Sequence, residues 1–183
     1  EAMGQLRLIA MLRGDESAAQ SWYERALKID PGFPTLHRRL ADLYYERGQY
    51  DLALKEYLEA NKGQPKDMRS LLQAGASARR TGQMEQAEQL LRKAMALHPK
   101  SWIPRYNLAC LQAKQGQAQA AFTTLGDSID RGMVYANLLV EDPDWDGLRA
   151  SPEFRQLLQR VRKIDAAGSP KSGDEDGDIP DAD

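Results

Sequence analysis

Between residues 36 and 44 the apolar positions Leu36, Leu40, Leu43 and Tyr44 fall at the stride of one helix face. A polar break, Arg47-Gly48-Gln49-Tyr50-Asp51, interrupts them. Ala53, Leu54, Tyr57, Leu58 and Ala60 then take up the same stride. This pattern predicts two short helices joined by a tight turn. Gly48 stands where the first helix must stop in a left-handed conformation, which suits glycine. Asp51 is placed to cap the second helix. Pro65 is placed to end it, because proline has no N–H for the next helical bond.

The layout recurs with a step of 34 residues. Glycine marks it at Gly14, Gly48, Gly82 and Gly116, and alanine at Ala19, Ala53, Ala87 and Ala121. A third column runs Tyr23, Tyr57, Leu91 and Leu125. A fourth runs Ala26, Ala60 and Ala94 until Ser128 breaks it. Pro31, Pro65 and Pro99 close three of the units. A helix pair cannot bury its apolar stripe alone, so units with such a period must stack on one another. The alanines are expected where two helices approach most closely.

These columns resemble the tetratricopeptide repeat family. One unit carries the family's pattern through Leu40, Ala41, Tyr44, Gly48, Ala53, Tyr57, Ala60 and Pro65. The next does so through Gly75, Gly82, Ala87, Leu91, Ala94 and Pro99, and the last through Leu108, Ala109, Gly116, Ala121 and Leu125. The resemblance covers about residues 1–133 and implies an all-α, right-handed α-solenoid of about four helix-turn-helix units. These are expected at about 1–33, 34–67, 68–101 and 102–133. The first lacks its opening residue or so, and with no initiator methionine the chain reads as a piece of a longer protein.

After Ser128 the repeat stops, since the next position in phase for glycine is Ala150. A short helix is expected in "VYANLLVE" and a longer one over 151–164, with Ser151 as its cap and Pro152 and Glu153 in its first turn. Phe154, Leu157, Leu158, Val161 and Ile164 give that helix one apolar stripe, fit to cover the exposed edge of the last repeat. A C-terminal helical cap is therefore expected over 134–165.

Between the two helices, "DPDWDGLRASPE" matches a calcium-loop pattern through Asp142, Asp144, Asp146, Gly147 and Glu153. Arg149 stands where such loops carry a buried aliphatic residue, and Ala150 offers no oxygen at a usual ligand position. Asp142, Pro143, Asp144, Leu148, Arg149, Pro152, Phe154 and Leu157 instead resemble the C-terminal cap of many bacterial tetratricopeptide proteins. That resemblance accounts for the acids with no metal, and no cofactor is expected.

Charge changes the picture in one respect. The formal net charge is −2, but the last ten residues hold six acids and no base. Residues 1–173 therefore set 25 basic residues against 21 acidic ones, a balance of +4. The linker "AAGSPKSG" and the acidic run after it cannot form a core, so residues 166–183 read as a flexible linker and tail. No stretch approaches the roughly 18 apolar residues of a membrane span. The single cysteine, Cys110, fits a reducing compartment, so a soluble, cytoplasmic protein is favoured and a periplasmic one stays open.

Candidate catalysts are sparse. His37 and His98 are the only histidines, and neither has a cysteine or carboxylate at metal-ligand spacing. His37 reads as a packing residue and Cys110 as a small buried hydrophobe. The chain is not expected to be an enzyme.

The remaining polar pattern lies on the first helices. Packing through Leu40, Ala41 and Tyr44 leaves Arg38, Arg39, Asp42, Tyr45 and Glu46 facing elsewhere. The resemblance implies that these columns line a concave groove that binds a peptide segment of another protein. One column gives Gln5, Arg39, Gln73 and Asn107, all able to donate to a peptide carbonyl. Neighbouring columns add Arg38, Arg69, Arg79, Arg80 and Lys114 against Asp42 and Glu46, with Tyr45 and Tyr106 beside them. Such a groove is net basic and is expected to prefer an acidic segment.

The family's clamp for chaperone C-termini does not fit. Its columns would hold Arg38, Asp42, Gln73, Ile103 and Asn107, where Asp42 repels a carboxylate and Ile103 cannot pair with one. The chain's own tail is a candidate occupant of the groove. RNA binding is an alternative that the pI of about 5.8 opposes. Self-assembly through an open edge at Leu6, Leu8, Ile9 and Leu12 is another.

Overall fold

A computed structural model describes residues 16–167. Gln5, the edge at Leu6 to Leu12, Gly14, and the linker and tail from residue 168 onward lie outside the described residues. Nine α-helices and one short 3-10 turn make up the described chain, with no strand among the described residues. The helices are α1 (Glu16–Ile29), α2 (Pro34–Glu46), α3 (Tyr50–Gly63), α4 (Met68–Arg80), α5 (Met84–Leu97), α6 (Ile103–Lys114), α7 (Ala118–Asp130), α8 (Ala136–Glu141) and α9 (Pro152–Ala166). The 3-10 turn is Pro143–Trp145. They gather into two compact units that divide between Leu97 and His98. No helix among the described residues is long and apolar enough to cross a membrane.

Each first helix stops as the glycine column requires. Gly48, Gly82 and Gly116 take φ of 70°, 78° and 73°, a region costly for any residue with a Cβ. The chain then turns back on the helix just finished. Gln49, Gln83 and Gln117 donate their backbone N–H to Tyr44, Ala78 and Gln112 at 2.8–2.9 Å, closing the same turn three times. Asp51 does not cap the following helix. Gln49 is the cap residue, without a side-chain bond, and Asp51 sits inside the first turn of α3, where its charge faces the helix's positive end.

In the first unit α1 packs on α2, α2 on α3, α3 on α4 and α4 on α5. Ala19, Ala53, Ala87, Ala26, Ala60 and Ala94 are all buried. Gly75 shows why small residues are needed, because a Cβ there would lie only 3.4 Å from Leu91 Cγ across the α4–α5 contact. Tyr57 fills the centre and is 1% exposed.

In the second unit α6 and α7 form the same pair. Ser128 changes the letter of its column and not the geometry. It is fully buried in the alanine's corner, and its hydroxyl donates to the Trp102 carbonyl at 3.1 Å. The departure comes at the proline column, where Met133 follows Gly132 (φ 97°) and is itself fully buried. The chain then closes over the pair. Leu139 of α8, Trp145 of the 3-10 turn, and Phe154 and Val161 of α9 are buried, and α9 lies against α7 and α8. Ser151 caps α9, accepting the Phe154 N–H at 3.2 Å. A buried salt bridge, Arg105 Nε to Asp127 at 2.6 Å, ties α6 to α7.

Candidate peptide-binding surfaces

On the first unit, α2 and α4 bring four of the expected arginines to the surface. Arg38 is half-buried and Arg39 exposed on α2, while Arg69 and Arg80 are exposed on α4. Asp42 connects the two helices. It accepts the Tyr57 hydroxyl at 2.6 Å from inside and lies 3.7 Å from Arg69 Nη2 on the outside. With Arg69 at 45% side-chain exposure, this ion pair contributes only about 0–1 kcal/mol. It does neutralise the one acid in the middle of the face.

Tyr45 meets Tyr50 edge-on with ring centroids 5.2 Å apart. The Arg80 guanidinium lies 5.6 Å from the Tyr50 ring centre, which anchors its stem and leaves the charge on the surface. Gln73 and Arg79 are half-buried on α4. Arg38, Arg39 and the Gln73 amide have no hydrogen-bond or ion-pair partner among the described residues. Burial holds the Tyr57 hydroxyl protonated far above the usual tyrosine range, with the Asp42 charge adding to the effect. Asp42 is therefore an acceptor for Tyr57, not an open negative charge.

On the second unit the equivalent face of α6 is covered. Tyr106, expected in the open groove, is instead buried. Its hydroxyl lies 3.0 Å from the Leu138 carbonyl and 2.9 Å from Asp142 Oδ2, both acceptors. One turn along, the Cys110 thiol donates to the same oxygen at 3.4 Å. A further turn along, Lys114 Nζ is 3.3 Å from Asp144 Oδ1, so this lysine already holds a carboxylate. The Asn107 amide donates to the Ile103 carbonyl at 3.0 Å.

The covering segment is the Asp-Pro-Asp stretch of the calcium-like pattern. Asp142 Oδ1 accepts the Asp144 N–H at 2.9 Å, which winds the 3-10 turn. Arg149 donates to the Asp142 carbonyl at 2.8 Å and pairs with Asp146 at 2.9 Å. Trp145 is fully buried against Phe154, with ring centroids 5.4 Å apart. The acids thus face four different neighbours: Asp142 faces Tyr106 and Cys110, Asp144 faces Lys114, Asp146 faces Arg149, and Glu153 stays exposed in the first turn of α9. Cys110, Asp142 and Asp144 do bring ligand atoms within 4.8 Å of one another. The donors of Tyr106, Cys110 and Lys114 occupy that space.

The residues examined as catalysts are committed to packing. His37 Nδ1 lies 2.6 Å from Glu56 and Nε2 3.1 Å from the Pro31 carbonyl, so the ring ties α2 to α3 and to the turn before it. Burial, reinforced by the Asp142 charge, pushes the Cys110 thiol well above its ordinary range, which keeps it protonated and poorly nucleophilic. The sequence reading missed Trp145 and the docking of 142–146 on α6. The Asp-Pro start and the aromatic three residues after Asp142 were visible, but their target on α6 was not.

Known proteins share these features. Two models of the tetratricopeptide repeat match, over residues 10–75 and 69–101. A chloroplastic protein of Arabidopsis thaliana is 26% identical over 113 residues, which is 60% of this chain and 33% of that protein. The chain thus matches only about a third of that relative's length. Among solved structures, MamA aligns with a TM-score of 0.73 at 16% identity over 97% of both chains. A MamA fragment from Desulfovibrio magneticus RS-1 gives 0.72 at 13% identity, covering 92% of this chain and 97% of its own. YrrB, a TPR protein with an unusual peptide-binding site, gives 0.68 at 15% identity, covering 92% of this chain and 88% of its own. With its glycine and alanine columns at the same corner of every helix pair, and with the repeat models running from residue 10 to 101, the chain belongs to the tetratricopeptide repeat family and has that family's all-α, α-solenoid fold.

Proposed function

We propose that the protein is a non-catalytic interaction scaffold whose first unit holds an acidic, extended segment of a partner protein on the face shared by α2 and α4. The observation that carries this reading is the Arg69–Asp42–Tyr57 chain, which uses up the central acid of that face. Arg38, Arg39 and Arg80 then set its charge. Forked N–H groups of arginine suit carboxylates, and a charge-assisted hydrogen bond contributes about 1.5–3 kcal/mol. The Gln73 amide can serve the backbone of an extended ligand. YrrB has a peptide-binding site on the same fold, which supports a peptide as the ligand class.

The test is a titration of labelled acidic decapeptides into the full chain, compared with an Arg38→Ala, Arg39→Ala, Arg69→Ala triple variant. Loss of at least roughly tenfold in affinity, about 1.4 kcal/mol, is expected in the variant. Peptide affinity that ignores the three arginines contradicts the reading. So does tighter binding of random RNA than of any peptide at physiological salt.

A further inference from the structure

Pro-Asp-x-Asp occurs twice in the chain, as Pro143-Asp144-Trp145-Asp146 and as Pro180-Asp181-Ala182-Asp183. The first copy shows what such a segment does on a repeat of this protein. It winds into a 3-10 turn, lies across Tyr106 and Cys110, and gives its first aspartate to Lys114. The three docking positions on α6 have counterparts 34 residues earlier on α4, namely Leu72, Ala76 and Arg80. Leu72 and Ala76 are half-buried where Tyr106 and Cys110 are buried, so the same floor exists on α4 with less covering it. Arg80 stands where Lys114 stands and brings a guanidinium to that place. On α2 the same positions are Arg38, Asp42 and Glu46, and a carboxylate at Lys114's place repels an acidic guest. The first unit therefore has one helix face fit for this motif, and it is α4.

We infer that the acidic run 174–183 is a ligand of the first unit, docking its Pro180-Asp181-Ala182-Asp183 on α4 as Pro143-Asp144-Trp145-Asp146 docks on α6. This rests on the reading of the arginine face above and assigns the occupant and the register. The run carries six acids and no base, opposite in sign to the arginines it meets. A guanidinium has five N–H donors and can serve the Tyr50 ring and a carboxylate together. Ala182 lacks the indole with which Trp145 anchors the first copy, so the second is held mainly by charge and is sensitive to salt.

The experiment uses a fluorescent peptide of residues 174–183, followed by anisotropy. It is titrated into the full chain and into a full chain carrying Asp178→Asn, Asp181→Asn and Asp183→Asn. The neutralised chain is expected to bind the peptide several-fold more tightly, because its own tail no longer competes. Adding Arg80→Ala to that chain is expected to weaken binding roughly tenfold, the effect of one charge-assisted pair. Equal affinity of the two chains overturns the inference, as does indifference to Arg80→Ala. If Arg38→Ala and Arg39→Ala weaken binding while Arg80→Ala does not, docking on α4 fails and the arginine face survives as an acidic site. If neither this peptide nor an unrelated acidic decapeptide binds the neutralised chain, both readings fail together.

Discussion

The two units finish the same surface in different ways. In the first, the buried hydroxyl of Tyr57 finds its carboxylate within the repeats, from Asp42 on the neighbouring first helix. In the second, the buried hydroxyl of Tyr106 finds its carboxylate from outside them, in Asp142 of the capping segment. Asp42 pairs onward with an exposed arginine and leaves α2 and α4 uncovered by further chain. Asp142 brings Pro143, Asp144 and Trp145 with it and seals α6. A tetratricopeptide face can thus be completed by a side chain or by a guest segment. The second unit carries an example of the guest that the first unit is proposed to take from elsewhere.

Removing the anchor of the guest should have the largest effect. Trp145→Ala empties a fully buried site against Phe154 and is expected to cost about 3–5 kcal/mol in urea unfolding. It should also make Cys110 reactive towards a thiol reagent, which separates uncovering of α6 from a general loss of stability.

Asp142→Ala strands the Tyr106 hydroxyl and is expected to cost about 1–3 kcal/mol. Asp42→Ala removes the equivalent acceptor in the more open unit and should cost less. Equal costs would erase the contrast between a covered and an uncovered face. Gly82→Ala places a Cβ at φ 78° and is expected to cost about 1–2 kcal/mol. The same change at Gly116 should match it, because the turn is shared by both units.

Much of the fold was legible because it is periodic. The glycines, alanines and aromatic positions recur at equivalent corners, so one local pattern could be read three times and checked against itself. Gly48 and Pro65 were assigned from backbone chemistry alone. Tyr106 shows where that reasoning stops. Its column predicts a side chain facing a groove, and the side chain does lie on that face of α6, but a segment more than 30 residues later covers it. Arg105 and Asp127 are similar, a pair 22 residues apart that no periodic rule connects. The site on α2 and α4 stayed legible because its chemistry lies within single helices and their nearest repeat.

Alkaline pH should act next, and more gently. Burial, with the Glu24 carboxylate beside it, pushes the Tyr44 hydroxyl up to about 12. Unfolded tyrosine ionises near 10, so the folded state alone keeps this proton over that interval. Its stabilisation is complete below about pH 10 and is lost as pH rises towards 12. Thermal unfolding followed from pH 8 upward should show the decline, and Tyr44→Phe should flatten part of it. Arg39→Ala should have the smallest effect on stability, within about 0.5 kcal/mol as for other surface changes.

The most direct measurement is a backbone amide NMR titration of the full chain with an unlabelled acidic decapeptide. The account expects shifts confined to α2 and α4, around Arg38, Arg39, Arg69 and Arg80, with Tyr106, Cys110 and Lys114 unmoved because Asp142 and Asp144 already occupy their face. Shifts centred on α6, with α2 and α4 silent, would contradict it.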